Sequence, residues 1–102
     1  NAYYAGKHWA LRKKDAELWH WLTLAAMNAQ DIRRTPFKLP VAVTFYWNDR
    51  LDIDNHAIMG KMIVDAMKGR VIEDDNRRWL KSVSHNFHDE DYIQVEIREV
   101  GP

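Results

Sequence analysis

The stretch Arg50-Leu51-Asp52-Ile53-Asp54-Asn55, followed by Lys61 and Asp65 and then by Glu73-Asp74-Asp75, holds the residue types that could do chemistry. Asp52 and Asp54 are two apart, so on an extended backbone their carboxylates share a face. Two unit charges about 4 Å apart repel by roughly 4 kcal/mol at an effective dielectric near 20. Adding Asp75 raises the cost, and such a cluster persists only when a proton or a cation neutralises it. Carboxylate oxygens are hard donors, and in a chain without Cys they point to magnesium or manganese. The same residues also suit structural work. Asp54 or Asn55 can cap a helix, and Asp74-Asp75-Asn76 can form a turn. Spacing alone leaves both readings open.

The elements around these residues follow from the apolar pattern. Val41–Trp47 alternates as a strand, with Val41, Val43 and Phe45 on one face and Ala42, Thr44 and Tyr46 on the other. Both faces are fairly apolar, which predicts a central strand. Asn48-Asp49-Arg50 closes it with turn residues. A helix is predicted from about Asn55 to Met67, burying Ile58, Met59, Met62, Ile63, Ala66 and Met67, with Gly69 placed to stop it. Gly60 inside that helix costs about 1 kcal/mol relative to Ala, which a close backbone approach would explain.

An earlier helix is predicted from Lys13 to about Asn28, with a buried stripe of Leu18, Leu22, Ala25, Ala26 and Ala29 widened by Trp21 and Leu24. Trp19 and Trp21 are expected in the core. Residues 1–9 read as a loop, and Asp31–Pro40 as a connector broken by Pro36 and Pro40. Val71-Ile72 is a short extended piece. Trp79–His85 and Tyr92–Glu99 both alternate around the polar segment Asn86–Asp91, which predicts a C-terminal antiparallel hairpin. The fold class is α+β: a small mixed sheet with two main helices packed on one face.

One domain is expected over residues 1–102. An apolar fraction of 46% with 29% charged residues predicts a globular chain rather than a disordered one. The absence of Cys excludes disulfides, thiolate zinc sites, iron–sulfur clusters and cysteine nucleophiles. No apolar run has membrane-spanning length and no signal-peptide pattern opens the chain, so no membrane partner and a cytoplasmic location are expected. The net charge is zero but unevenly spread. Residues 1–48 carry seven Lys/Arg against three Asp/Glu, and residues 49–102 carry eight against twelve. A concentrated carboxylate site beside a cationic surface fits that split.

The cations fall in three groups: Lys7, His8, Arg12, Lys13 and Lys14; Arg33, Arg34 and Lys38; and Lys68, Arg70, Arg77 and Arg78. They suit phosphate contacts or a solvated face, and Lys7 and Arg12 are the preferred candidates for phosphate contact. Tyr3, Tyr4 and Trp9 suit either base stacking or packing of the front segment. His85 and His88 offer a rival zinc pair, but residues three apart on a strand face opposite ways. His56 could assist the acidic site or serve the first helical turn, and His20 is a packed or surface histidine.

Taken in order, Asp52-Ile53-Asp54-Asn55, Lys61 four before Asp65-Ala66-Met67, and Gly69 followed by Asp74-Asp75 resemble the RusA-type Holliday-junction resolvases. Asn1-x-Tyr3-Tyr4 is similar to the Asn/Tyr-rich loop after that family's first strand. The resemblance covers most of the chain. It implies a homodimeric, magnesium-dependent endonuclease, with Mn2+ able to substitute and no organic cofactor. Such an enzyme cuts branched DNA, the four-way Holliday junction, in recombination and repair and leaves 5′-phosphate ends. It also implies a bacterial or phage source.

Carried over by position, Asp52, Asp54 and Asp75 match the essential acids, Asp74 the adjacent acid and Lys61 the lysine near the phosphate. Asp65 is expected to be structural. Lys7, Arg12, Lys13, Arg50 and Lys61 are the implied DNA contacts. Three features depart from the pattern. The interval from Asp54 to Lys61 is about three residues longer than in the best-known member, nearly one helical turn. Leu51 stands where that member has Arg, leaving Arg50 as the nearest substitute. The family's opening strand is expected to be absent from this chain. The alternatives are a branched-DNA-binding module without catalysis and a flap or branch nuclease of the same chemistry.

Overall fold

The computed structural model describes residues 9–101, with side chains from Lys14 onward. Helix α1 (Trp9–Ala29) precedes strand β1 (Val41–Trp47), a short 3-10 turn (Ile53–His56) and helix α2 (Ala57–Met67). Strands β2 (Leu80–Phe87) and β3 (Gln94–Glu99) follow. The fold is α+β, with a three-stranded mixed sheet and two helices. No described helix is long and apolar enough to cross a membrane. The opening segment's expected loop lies outside the described residues except for Trp9, which starts α1 instead.

β1 is the central strand, in the order β2-β1-β3. It runs parallel to β2, with Phe45 opposite His85, and antiparallel to β3, with Phe45 opposite Val95. The expected C-terminal hairpin is therefore corrected: β2 and β3 do not pair, because β1 lies between them. The physical reason is the burial of β1. Val41, Val43, Phe45 and Trp47 are at most 1% exposed. A hairpin on one side would strand the other backbone edge of a buried strand without partners. The α2 crossover delivers β2 in parallel, and the chain then passes the end of β1, where the His88 N–H donates to the Trp47 carbonyl. Alternation marks a partly buried face in β3, at Val95 and Ile97, whereas β2 leaves Val83 and Phe87 exposed; neither sequence pattern carries information about the partner strand.

The core gathers on one face of the sheet. Val43, Phe45 and Trp47 pack there with Met59, Ile63, Val64 and Met67 of α2 and Met27 of α1, while Val95 and Ile97 lie partly buried beside them. Ser82, Ser84, Gln94, Glu96 and Arg98 mark the polar opposite face. Gly60 has the close approach its presence suggested. A Cβ there would lie 3.0 Å from His85 Cε1 and 3.1 Å from Phe45 Cε2.

α2 buries the predicted stripe apart from Ile58, which is half-buried, and α1 does not bury its own. In α1, Met27 is buried and Trp19, Thr23 and Leu24 are half-buried, whereas Leu18, Leu22 and Trp21 are exposed, Trp21 by 70%. The spacing 19, 23, 27 is as helical as 18, 22, 25, 29, but Thr23 disguises it. The Thr23 hydroxyl donates to the Trp19 carbonyl at 2.7 Å, which satisfies the polar atom within the helix. Trp21 is thus a surface residue rather than part of the core.

α1 ends with Asp31 in the left-handed region at φ 51°, the Ile32 N–H donating to the Met27 carbonyl and the Asp31 N–H to the Asn28 carbonyl. This is a Schellman stop made without glycine. Gly69, at φ 84°, stops α2 as predicted. Lys68 is extended before it and the Arg70 N–H donates to the Met67 carbonyl, forming a type II turn.

Candidate functional site

The chain leaves β1 through Asn48-Asp49-Arg50 and reaches α2 through the 3-10 turn. Asp49 folds back on itself, its Oδ1 accepting the Leu51 N–H at 2.9 Å. His56 is fully buried, with Nε2 at 2.8 and 2.9 Å from the two Asp49 carboxylate oxygens. A carboxylate can only accept here, so Nε2 carries the hydrogen. Nδ1 lies 3.3 Å from the Ile53 carbonyl oxygen, and the Asn55 N–H donates to the Asp52 carbonyl. The ring packs on Trp47 at 4.6 Å and edge-on to Phe87 at 5.4 Å. Asp52 and Asp54 ride on this braced segment. Both are exposed, and Asp52 makes no side-chain capping bond. Arg50 is exposed in the same turn.

Asp75 is placed by the connector after α2. Its carboxylate accepts from Lys61 Nζ at 2.5 Å, and Lys68 Nζ lies 3.7 Å away. Asp65 completes the group, 3.0 Å from Lys61 and 3.3 Å from Lys68. The Lys61 hydrogen bond, helped by the charges of Lys61 and Lys68, holds the Asp75 carboxyl below the ordinary carboxylate range against the pull of burial. Bonds to Asp75 and then Asp65 raise Lys61 above the ordinary lysine range. The contact joins two parts of the sequence pattern 14 residues apart. Lys61 lies on the side of α2 that faces Asp75.

Asp74 has a different task. Its Oδ1 accepts the Asp75 N–H at 2.8 Å and its Oδ2 accepts from Asn76 at 3.3 Å, which shapes the turn carrying Asp75. Among the described residues, no three of His, Asp and Glu are grouped so as to hold a metal ion. The donor chemistry of Asp52, Asp54 and Asp75 suits a hard divalent cation, but in the described arrangement the counter-charge at Asp75 is ammonium.

Other sequence candidates divide between structure and surface. Lys7 lies outside the described residues; Arg12 and Lys13 fall in the first turns of α1, ahead of the described side chains. Arg70 is a structural anchor. It donates from Nη1 to Asn28 Oδ1 at 2.7 Å and from Nη2 to the Ile32 carbonyl at 2.8 Å, tying the end of α1 to the connector after α2. The zinc pair does not form. His85 Nδ1 accepts from the Trp47 indole at 3.0 Å, and His88 Nε2 meets the Tyr92 carbonyl oxygen at 2.6 Å. Burial, with His56 nearby, pushes the His85 pKa down. Asp49 and the brace it forms with His56 escaped sequence reasoning, because Asp49 reads as an ordinary turn residue and its partner is seven residues away.

Comparison with protein-family models, with curated proteins and with solved structures finds no match for this chain.

Proposed function

We propose that this chain is a magnesium-dependent endonuclease of branched DNA that resolves four-way junctions by paired phosphodiester hydrolysis as a homodimer. The observation that carries the reading is the Lys61–Asp75 contact. It brings the distal acid, from the connector after α2, against a lysine of the helix whose lead-in presents Asp52 and Asp54 exposed. Asp52, Asp54 and Asp75 would hold the cation, with Asp74 setting the turn beneath Asp75. A divalent ion bound there supplies an activated water and charge stabilisation at phosphorus. Lys61 neutralises a non-bridging phosphate oxygen, and Arg50 contacts the backbone of the DNA. Two symmetric nicks need two sites, which a twofold dimer provides.

A second reading, a branched-DNA-binding module without catalysis, draws support from the engagement of Asp75 by Lys61 and Lys68. One cleavage gel separates them. A synthetic four-way junction, a flap and a linear duplex are each incubated with magnesium, with chelator and with the Asp54→Asn protein. The nuclease reading expects paired, magnesium-dependent cuts in the junction, lost in Asp54→Asn while binding persists. Binding without any cut by the unaltered chain selects the module. Preferred cutting of the flap selects the branch-nuclease variant. Sedimentation as a strict monomer on and off DNA removes symmetric resolution.

A further inference from the structure

We propose that Asp49 and His56 form a clamp that fixes the conformation in which Asp52 and Asp54 are presented. The metal-binding consequence rests on the nuclease reading above; the clamp itself does not. The segment from Asp49 to His56 links the end of β1 to α2 and is exposed along Leu51, Asp52, Ile53 and Asp54. Exposed backbone of this kind has many accessible conformations, and two like charges two residues apart push it towards those that separate them.

The geometry restricts it from beneath. The Asp49 Oδ1 accepts the Leu51 N–H and lies 2.8 Å from His56 Nε2, with Oδ2 2.9 Å from the same nitrogen, so a single side chain ties the first third of the segment to its last residue. The His56 ring is held in turn by its 0% exposure, by Trp47 and by Phe87. Its Nδ1 faces the Ile53 carbonyl, between the two acids. The anchors are Asp49 and the buried His56, while Asp52 and Asp54 are exposed and neither carboxylate is engaged by another described residue. Asp49 and His56 are therefore positioning residues, acting through the backbone that carries Asp52 and Asp54.

The test compares His56→Leu, which keeps apolar volume but removes the donor, with His56→Gln, which restores a side-chain N–H towards Asp49. Asp49→Ala attacks the clamp from its partly exposed side, where folding is least at risk. Amide hydrogen exchange at Leu51 and Asn55 reads the clamp directly. His56→Leu and Asp49→Ala are expected to lower protection there by about three- to tenfold, the worth of one net hydrogen bond. His56→Gln is expected to recover most of it. Mn2+ affinity of the full chain reads the consequence, with a loss of about ten- to a hundredfold in the first two variants. Unchanged protection in folded His56→Leu and Asp49→Ala overturns the clamp. A wild-type chain that binds no Mn2+ overturns the nuclease reading, and the exchange result still decides the clamp.

Discussion

Ahead of α2, Asp52 and Asp54 stand exposed on a segment whose own bracing uses other groups, Asp49 and His56. Behind α2, Asp75 lies within 4 Å of two lysines, and Arg70 of the same connector is spent on the end of α1. The two regions carry the same residue type in opposite electrostatic states. Before the helix, structural work and exposed charge are divided between different side chains. After it, one carboxylate does both, organising lysines 61 and 68 and standing as the third candidate ligand. The capacity to attract a cation is therefore greatest before α2, while the fixed geometry is strongest after it.

The contrast can be broken most severely at the leading side. On the proposed nuclease reading, Asp54→Asn is expected to reduce magnesium-dependent junction cleavage by about a thousandfold or more, equivalent to about 4 kcal/mol in the barrier. DNA binding should be equal or tighter, because a charge that repels phosphate is removed. A gel and a binding titration on the same preparation check both.

Arg70→Met attacks the trailing side. It removes the charge-assisted bonds to Asn28 and the Ile32 carbonyl and should cost about 2 kcal/mol in urea unfolding. If the chain binds DNA as proposed, the salt dependence of that binding should change little, since the guanidinium is already committed to Asn28 and the Ile32 carbonyl. Gly60→Ala lies between the two regions. Helix propensity favours Ala by about 1 kcal/mol, but the new Cβ meets a fully buried Phe45 and a His85 ring fixed to Trp47. Neither neighbour is a flexible chain end, so overpacking wins and a net loss of about 1 kcal/mol is expected.

The smallest effect belongs to the ion pair itself. Lys61→Ala should change stability by less than about 1 kcal/mol, because Lys61 is 60% exposed and solvent screens the pair. Its pH signature is more informative. Asp75 is lowered in the folded state, so its contribution is complete above the ordinary carboxylate pKa, about 3.9, and disappears as pH falls through the lowered value. Lys61 is raised, so its share is complete below the ordinary lysine pKa, about 10.4, and is lost as pH rises through the raised value. Carboxyl-carbon NMR should show the Asp75 titration moving upward in Lys61→Ala.

How much of this the sequence discloses depends on whether the information is local. The β1 pattern, the α2 stripe and the Gly69 stop are local matters of periodicity and backbone preference, and they are legible. The pairing of β2 with β1 rather than β3 is not, because alternation marks a buried face and says nothing about which edge is adjacent. The α1 face is hidden by Thr23, whose hydroxyl is satisfied inside the helix. At the site, Lys61, Asp65 and Asp75 can be picked out by type and spacing, and the structure joins them. The Asp49–His56 brace and the anchoring of Arg70 need tertiary packing, so a turn aspartate and a surface arginine are their only traces in the sequence.

The claim beneath the functional reading is that Asp75 shares one divalent ion with Asp52 and Asp54. Substoichiometric Mn2+ added to the isotopically labelled chain tests it through paramagnetic broadening of backbone amides. The account predicts that the amides of residues 52–54 and 74–75 broaden together, at the same Mn2+ concentration, and that the Lys61 contact with Asp75 weakens as they do. Broadening confined to residues 52–54, with 74–75 unaffected and Lys61 still on Asp75, would contradict it.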